Sequence, residues 1–321
     1  MEQSRKRMKF EVLFERYFSN FPRIMLTNLM FFVPLAIALA LFWVVGTYSN
    51  TLVTTLFSIL AVTLVFPFFA GVVLVVRNIA RGDENVKVFP NFFKGVKENF
   101  FKFMLYGFLL SIVTVLSYYS ISIYAKMLSA SWLFYGTLFV CILIALAVLF
   151  IFFYVPVMTV TFELKLKNIF KNGFLMSFGE IKNNFKALIS LVVVIAFCFT
   201  LVMFASIEYL IIAITLLLLA LIVPATCQFV VSFYVYDDMY LSVADKDTKS
   251  KNIGDAIVDA KNKKNGVVSE ADVEDYSDVD ISTLKDSDDF IFYNGKMIKQ
   301  SELLKRVLAQ READIDKKEE V

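Results

Sequence analysis

Residues Thr51–Val76 read TLVTTLFSILAVTLVFPFFAGVVLVV, with no charged side chain, and Arg77 follows at once. A helix needs about 20 apolar residues to cross a bilayer core. This stretch therefore reads as a transmembrane helix. Five more runs qualify on the same terms: Ile24–Val45, Phe103–Ala125, Ser131–Phe162, Ala187–Ser206 and Tyr209–Tyr236. The first is not a cleaved signal peptide, because its apolar stretch is too long and no small-x-small site follows it.

The composition agrees. Apolar residues make up 58% of the 321 and charged residues 19%, against roughly 45–50% and 25% in soluble chains. Two soluble domains, which the length alone would allow, are excluded. There is no His, so a Ser-His-Asp triad, a Cys-His pair, a His-ligated zinc and a haem held by His are excluded too. Cys141, Cys198 and Cys227 each lie in an apolar run without CxxC spacing, and read as small core hydrophobes.

Charge divides the chain. Residues 1–236 hold 18 Lys/Arg and 9 Asp/Glu, a net of +9; the remainder holds 14 and 21, a net of −7, and the sum is the formal +2. Residues 1–236 read as a six-helix transmembrane domain with an N-terminal surface helix. Residues 237–289 read as an acidic, disordered cytosolic linker, and residues 290–321 as a separate element. Orientation follows from the basic residues. Those before the first span, between the second and third, and between the fourth and fifth make 17 of the 18; Lys126 is the exception. That side is expected to be cytoplasmic, in a bacterial plasma membrane, with both termini inside. Trp43 and Trp132 then fall at outer helix ends with Tyr48, Tyr119, Tyr124 and Tyr209, as an interfacial aromatic belt.

An internal repeat runs through the membrane domain. Phe10, Phe14, Tyr17 and Phe21 are spaced i, i+4, i+7, i+11; so are Phe89, Phe93, Val96 and Phe100, and Phe174, Phe178, Ile181 and Phe185. Asn20, Asn99 and Asn184 precede the last aromatic of each set, and the second helix of each following hairpin carries one proline: Pro67, Pro156 and Pro224. The spacing puts each set on one helical face. The twelve residues read as a membrane-surface stripe on amphipathic helices, with basic residues near anionic headgroups. The expected fold is all-α: six transmembrane helices as three repeated hairpins, each preceded by a cytosolic amphipathic helix. Each proline is expected to kink its helix, or to gate a pathway at an unwound turn.

Gly71, Arg77, Arg81, Gly82, Phe92, Phe93, Lys97, Asn99 and Phe100, with a second copy from Tyr154 and Pro156 through Leu166, Asn168 and Ile169 to Asn184 and Phe185, resemble the hallmark of the YesL-like family of bacterial integral membrane proteins. The resemblance covers roughly residues 10–236. It implies a polytopic plasma-membrane protein of unestablished function. It also implies a role accessory to carbohydrate uptake by ABC-type transporters, beside whose genes members are often encoded. The acidic tail departs from the compact members, so their partner does not carry over.

Enzyme chemistry is not legible. The six spans hold no ionisable group of the kind a proton or ion pump needs. Asn28 and Gln228 are the most polar side chains within them and read as interhelical hydrogen bonds. Glu163 and Glu208 sit at helix ends and read as solvated. Asp237 and Asp238 read as an acidic membrane exit. No catalytic residue, metal ligand or cofactor site is expected. The leading expectation is a non-enzymatic accessory or interaction protein, bound to the bilayer and, through its tail, to a transporter or cytosolic protein. The alternative is a permease or channel for an uncharged solute, whose pathway would draw on Thr54, Ser58, Ser111, Thr114 and Ser117.

The tail carries one more signal. Asn294-Gly295 lies between Phe290–Tyr293 and Lys296–Lys299, which reads as a β-hairpin. Ser301 is placed to cap a following helix, with Leu303, Leu304, Val307 and Leu308 on one face. A lone hairpin is marginal in water, so Phe290, Phe292, Tyr293, Met297, Leu304 and Leu308 are candidate docking residues. Their cover could be the protein's own cytosolic face or a second protein, or the segment stays uncovered.

Overall fold

The computed structural model describes residues 9–83, 85–205, 207–244, 287, 289–293 and 296–308. In chain order come α1 (Lys9–Ser19), α2 (Phe21–Tyr48), α3 (Thr51–Arg81), α4 (Val88–Lys126), α5 (Leu133–Thr161), α6 (Leu166–Gly179), α7 (Ile181–Met203), α8 (Glu208–Leu221), α9 (Val223–Ala244), β1 (Phe290–Tyr293) and β2 (Lys296–Lys299). A last helix, α10, covers 300–308. The chain divides into two compact units: Met1–Val160 with Lys165–Tyr236, and Thr161–Leu164 with Asp237–Val321.

In the first unit, α2, α3, α4, α5 and α7 are each long and apolar enough to cross a membrane, and α8 with α9 makes a sixth if the bent pair is one span. The bend is 44° and falls at Ile222, two residues before Pro224. Pro67 and Pro156, by contrast, lie inside α3 and α5, which continue through them. Of these three prolines, only the last therefore accompanies a break.

Two helices come close because glycine lets them. A Cβ on Gly71 of α3 would lie 2.7 Å from the Phe92 ring and carbonyl of α4; one on Gly95 of α4 would lie 2.8 Å from the Ala70 carbonyl of α3. Further along, a Cβ on Gly107 would meet Phe66 at 2.5 Å. Small residues at such positions let helix backbones approach in a membrane. Other pairs meet through rings and hydroxyls: Phe31 on Phe69 between α2 and α3, Phe150 on Phe185 between α5 and α7, and Ser190 to Tyr234 between α7 and α9.

Three stretches are buried at every position: Ala70–Arg77 of α3, Phe153–Val160 of α5 and Gln228–Tyr236 of α9. A helix buried all round lies inside a bundle. Their neighbours α2, α4, α7 and α8 instead present long apolar rows outward, such as Ile189, Val192, Val193 and Phe197.

The expected surface helix of the second copy is not separate. α4 runs unbroken from Val88 to Lys126, through Asn99 and Phe100. The first and third copies do break, at Asn20 and Glu180. The cause is local. Pro22 cannot donate to Phe18, so α1 cannot continue into α2. Gly179 weakens the third helix before Glu180, whose φ of −106° and ψ of 40° leave the helical region. The second copy has neither breaker: Lys97-Glu98-Asn99 continues the helix, and Asn99 donates to the Gly95 carbonyl one turn back at 3.1 Å.

α9 also runs eight residues past Tyr236, to Ala244. The first part of the expected disordered linker is therefore helical. Residues 245–286 lie outside the described residues. In the second unit β1 and β2 pair antiparallel with Phe290 opposite Lys299 and Tyr293 opposite Lys296, the register expected of a hairpin closed by Asn294-Gly295, whose turn is outside the described residues. α10 starts at Gln300, one residue before the expected cap Ser301. Ile298, Leu303 and Val307 form a small core, with Ile291 and Tyr293 packed on it.

Candidate functional site

The interior of the helix bundle holds more polar chemistry than its sequence suggests. Asn28 of α2 is fully buried. Its amide nitrogen donates to the Leu221 and Ile222 carbonyls, each at 3.0 Å, and its oxygen accepts from the Ala225 N–H at 2.7 Å. The break before Pro224 separates the Leu221 carbonyl from the Ala225 N–H, which a straight helix would pair. One side-chain amide bridges the gap. The expected interhelical role of Asn28 is what the geometry gives. Gln228 differs: it donates to Ser232 of its own helix at 3.2 Å.

Similar bonds join other helices. Tyr106 of α4 and Thr159 of α5 lie 2.9 Å apart. Tyr154 of α5 donates to Asn184 of α7 at 2.7 Å, and Asn184 in turn donates to the Ser177 carbonyl of α6 at 2.9 Å. Tyr17 of α1 meets Thr226 of α9 at 3.1 Å. Burial pushes the Tyr17 phenol above its usual pKa of 10 and the Thr226 bond offsets part of that, so the group is a neutral hydrogen-bonding partner at physiological pH. Asn99 of α4 is almost fully buried, and its Oδ1 has no hydrogen-bond partner among the described residues.

Three arginines gather at the C-terminal end of α3. Arg77 is almost wholly buried and donates to the Val160 carbonyl of α5 at 2.9 Å. Sequence reasoning ended the span at Val76 and counted Arg77 among the basic residues of the connection that follows; α3 instead continues through it and buries it. Arg16 of α1 donates to the Ala80 carbonyl and lies 5.8 Å from the Phe233 ring centroid. Arg81 pairs with Asp83 at 3.0 Å. Cations there complement the exposed carbonyls of a helix C-terminus. Gly82 closes α3 in the left-handed region, φ 93°, with its N–H on the Ile79 carbonyl at 2.9 Å. Arg16 lies where a Cβ at that glycine would point.

The structure leaves most of the twelve stripe residues uncovered by protein. Phe10, Phe14, Phe89, Phe93, Phe100, Phe174, Phe178, Ile181 and Phe185 are exposed, and Tyr17, Phe21 and Val96 half-buried. The Phe10 and Phe14 rings pack in a tilted arrangement 4.5 Å apart, and the Phe174 and Phe178 rings 5.1 Å apart.

Of the six tail residues, Met297 is buried, Phe290, Tyr293 and Leu304 are half-buried and Leu308 is exposed. The Phe292 side chain is outside the described residues. Sequence reasoning missed what Met297 touches, the Phe162–Glu163 segment after α5. A two-residue contact leaves no periodicity to read. It also placed Glu163 in solvent, whereas Glu163 pairs with Arg306 at 2.8 Å. Glu208 is exposed, as expected. Among the described residues no group of three or more His, Cys, Asp or Glu is placed to hold a metal ion.

The helices define a multi-pass membrane protein. A family described as proteins of unknown function, DUF624, matches residues 24–121, from α2 into α4. The chain is similar to that family over this stretch, less than half of its length. No curated protein and no solved structure matches it.

Proposed function

We propose that this chain is a non-enzymatic accessory or interaction protein of the bacterial plasma membrane that serves carbohydrate uptake by an ABC-type transporter. In this reading it is a YesL-like protein with six spans in three repeated hairpins and both termini in the cytoplasm. One observation carries the reading: a set of buried polar side chains in the bundle bonds helix to helix. Asn28 bridges α2 to the α8–α9 break, Tyr106 joins Thr159, Tyr154 joins Asn184, and Arg77 holds the Val160 carbonyl. Groups so engaged hold a scaffold together. The repeat gains support from the three wholly buried stretches, each of which includes or closely follows one of the three prolines.

The permease reading lacks such support. Thr54, Ser58, Ser111 and Thr114 each donate to a carbonyl of their own helix, at 2.7 to 3.0 Å. That is how hydroxyls satisfy themselves in lipid rather than line a pathway.

The test has two arms. Affinity purification of the full chain from its native membrane should bring down the membrane subunits of a carbohydrate importer. Proteoliposomes holding the chain alone should take up labelled mono- and disaccharides no faster than empty liposomes. Uptake well above empty liposomes would sink the accessory reading in favour of the permease.

A further inference from the structure

The segment just past α5 meets the C-terminal hairpin edge to edge. Phe162 and Met297 form a parallel β-bridge, and the Glu163 N–H donates to the Met297 carbonyl at 2.9 Å. β2 therefore has β1 on one side and residues 162–163 on the other. The Phe162 ring meets Phe290 edge-on at 5.8 Å and stacks on Tyr240 at 6.4 Å. Arg306 of α10 pairs with Glu163 at 2.8 Å and with Glu302 at 3.2 Å.

We propose that residues 290–308 are a reversible intramolecular clasp, which adds as a strand to residues 162–163 and is locked there by Arg306 on Glu163. The occupant is this chain's own module because both faces of the contact are already matched. Phe162 is fully buried and Met297 3% exposed, and a carboxylate on one side meets a guanidinium on the other. The added strand is the mode by which extended segments dock on sheet edges.

The same geometry makes the clasp able to open. A two-stranded hairpin and a nine-residue helix are each marginal alone. The contact with residues 162–163 spans two residues of backbone. The locking side chains are 30% and 34% exposed, so salt screens them. The module's own core of Ile298, Leu303 and Val307 lets it leave as a unit. Opening bares Phe162, Phe290 and Met297 with an unpaired strand edge on each side, and such edges attract other strands. The clasp thereby controls whether that edge is offered.

Hydrogen exchange on the full chain in lipid nanodiscs tests this. A peptide covering 160–166 should be protected at Glu163. Arg306→Glu should raise exchange there and over 296–299 about threefold or more, and 1 M salt should raise it in the same direction. The charge-swapped pair E163R/R306E should restore protection. Glu163 exchanging at the open-chain rate in the unaltered protein, or unmoved by Arg306→Glu, would overturn the clasp. Should Arg306→Glu not accumulate, a second measurement decides. In a chain with its three native cysteines replaced by Ala, Phe162→Cys with Phe290→Cys, which span the contact and keep the Glu163–Arg306 pair, should be joined within one chain by a short bis-maleimide. No cross-link overturns the clasp, and cross-linked dimers assign the edge to a second copy instead. Both readouts are independent of any transport partner, so failure here leaves the accessory reading standing, and the reverse.

Discussion

Asn28 stands where an ordinary helix would need no side chain. Its amide sits between the Ala225 N–H and the Leu221 carbonyl and also reaches the Ile222 carbonyl. Replacing it by Leu keeps the volume roughly and removes all three bonds. A buried donor and carbonyl left unpaired cost about 1–3 kcal/mol each. Asn28→Leu should therefore destabilise the chain by about 2–4 kcal/mol. Gln228→Leu loses only a bond to Ser232 within its own helix and should cost about 1 kcal/mol or less. Thermal unfolding in one detergent compares them, and equal losses would show that the bridge carries no stability. The residue type was readable in advance, because an Asn in an apolar span has to find a partner. Its partner was not, because that lies 193 residues or more along the chain. Arg77 shows the opposite limit. It follows the apolar run directly and looks like a boundary marker, but nothing between Val76 and Arg81 breaks the helix, so α3 takes the charge inward to the Val160 carbonyl.

At the scale of the element, the aromatic spacing read from the sequence is a statement about faces, and three adjacent residues of α4 separate its consequences. Phe92 is 2% exposed and packs on Gly71; Phe93 is 60% exposed and belongs to the stripe; Lys94 lies a partial turn on and comes within 3.9 Å of Glu98. An unpaired carboxylate in the protein interior costs several kcal/mol. Phe92→Asp should thus abolish accumulation of folded protein or lower its stability by about 4 kcal/mol. Phe93→Asp should fall between, because the loss is of lipid-boundary burial rather than of core packing. Lys94→Asp should stay within about 1 kcal/mol, as surface pairs do. Thermal stability in nanodiscs orders the three, and a Phe93 effect no larger than that of Lys94 would leave the stripe without a membrane role. The same stripe in Phe174, Phe178, Ile181 and Phe185 predicts the same ordering for Phe178→Asp over Lys182→Asp. Where helices end was the less legible part. The spacing is identical in all three copies, and what differs is a breaker: Pro22 in the first, Gly179 in the third, none in the second.

For the whole molecule, the apolar runs gave the approximate bounds of five helices long enough to span and of a sixth run that is bent by 44° into the α8–α9 pair, because composition over about 20 residues is a coarse signal that packing cannot reverse. Orientation rests on a different signal. Of the 18 Lys and Arg in residues 1–236, 17 fall on one side of a six-span path, and such residues are retained in the cytoplasm. The broken sixth helix is where this could fail. If α8, of 14 residues, dipped into the bilayer and returned instead of crossing with α9, the tail would lie opposite the N-terminus. Cysteine labelling separates the two arrangements. In a chain whose native cysteines are replaced by Ala, Ser49→Cys and Ala130→Cys should react with an impermeant thiol reagent in intact cells. Asp83→Cys and Ser250→Cys should react only after permeabilisation. Labelling of Ser250→Cys in sealed cells, with Asp83→Cys still protected, would leave five crossings and make the α8–α9 pair re-entrant. Asn28 would then anchor a loop within the membrane rather than mend a span, and the clasp on residues 162–163 would be impossible, since those residues end a helix on the Asp83 side. The clasp therefore requires the six-crossing path, though the path does not require the clasp, and labelling of Ser250→Cys in sealed cells would overturn both.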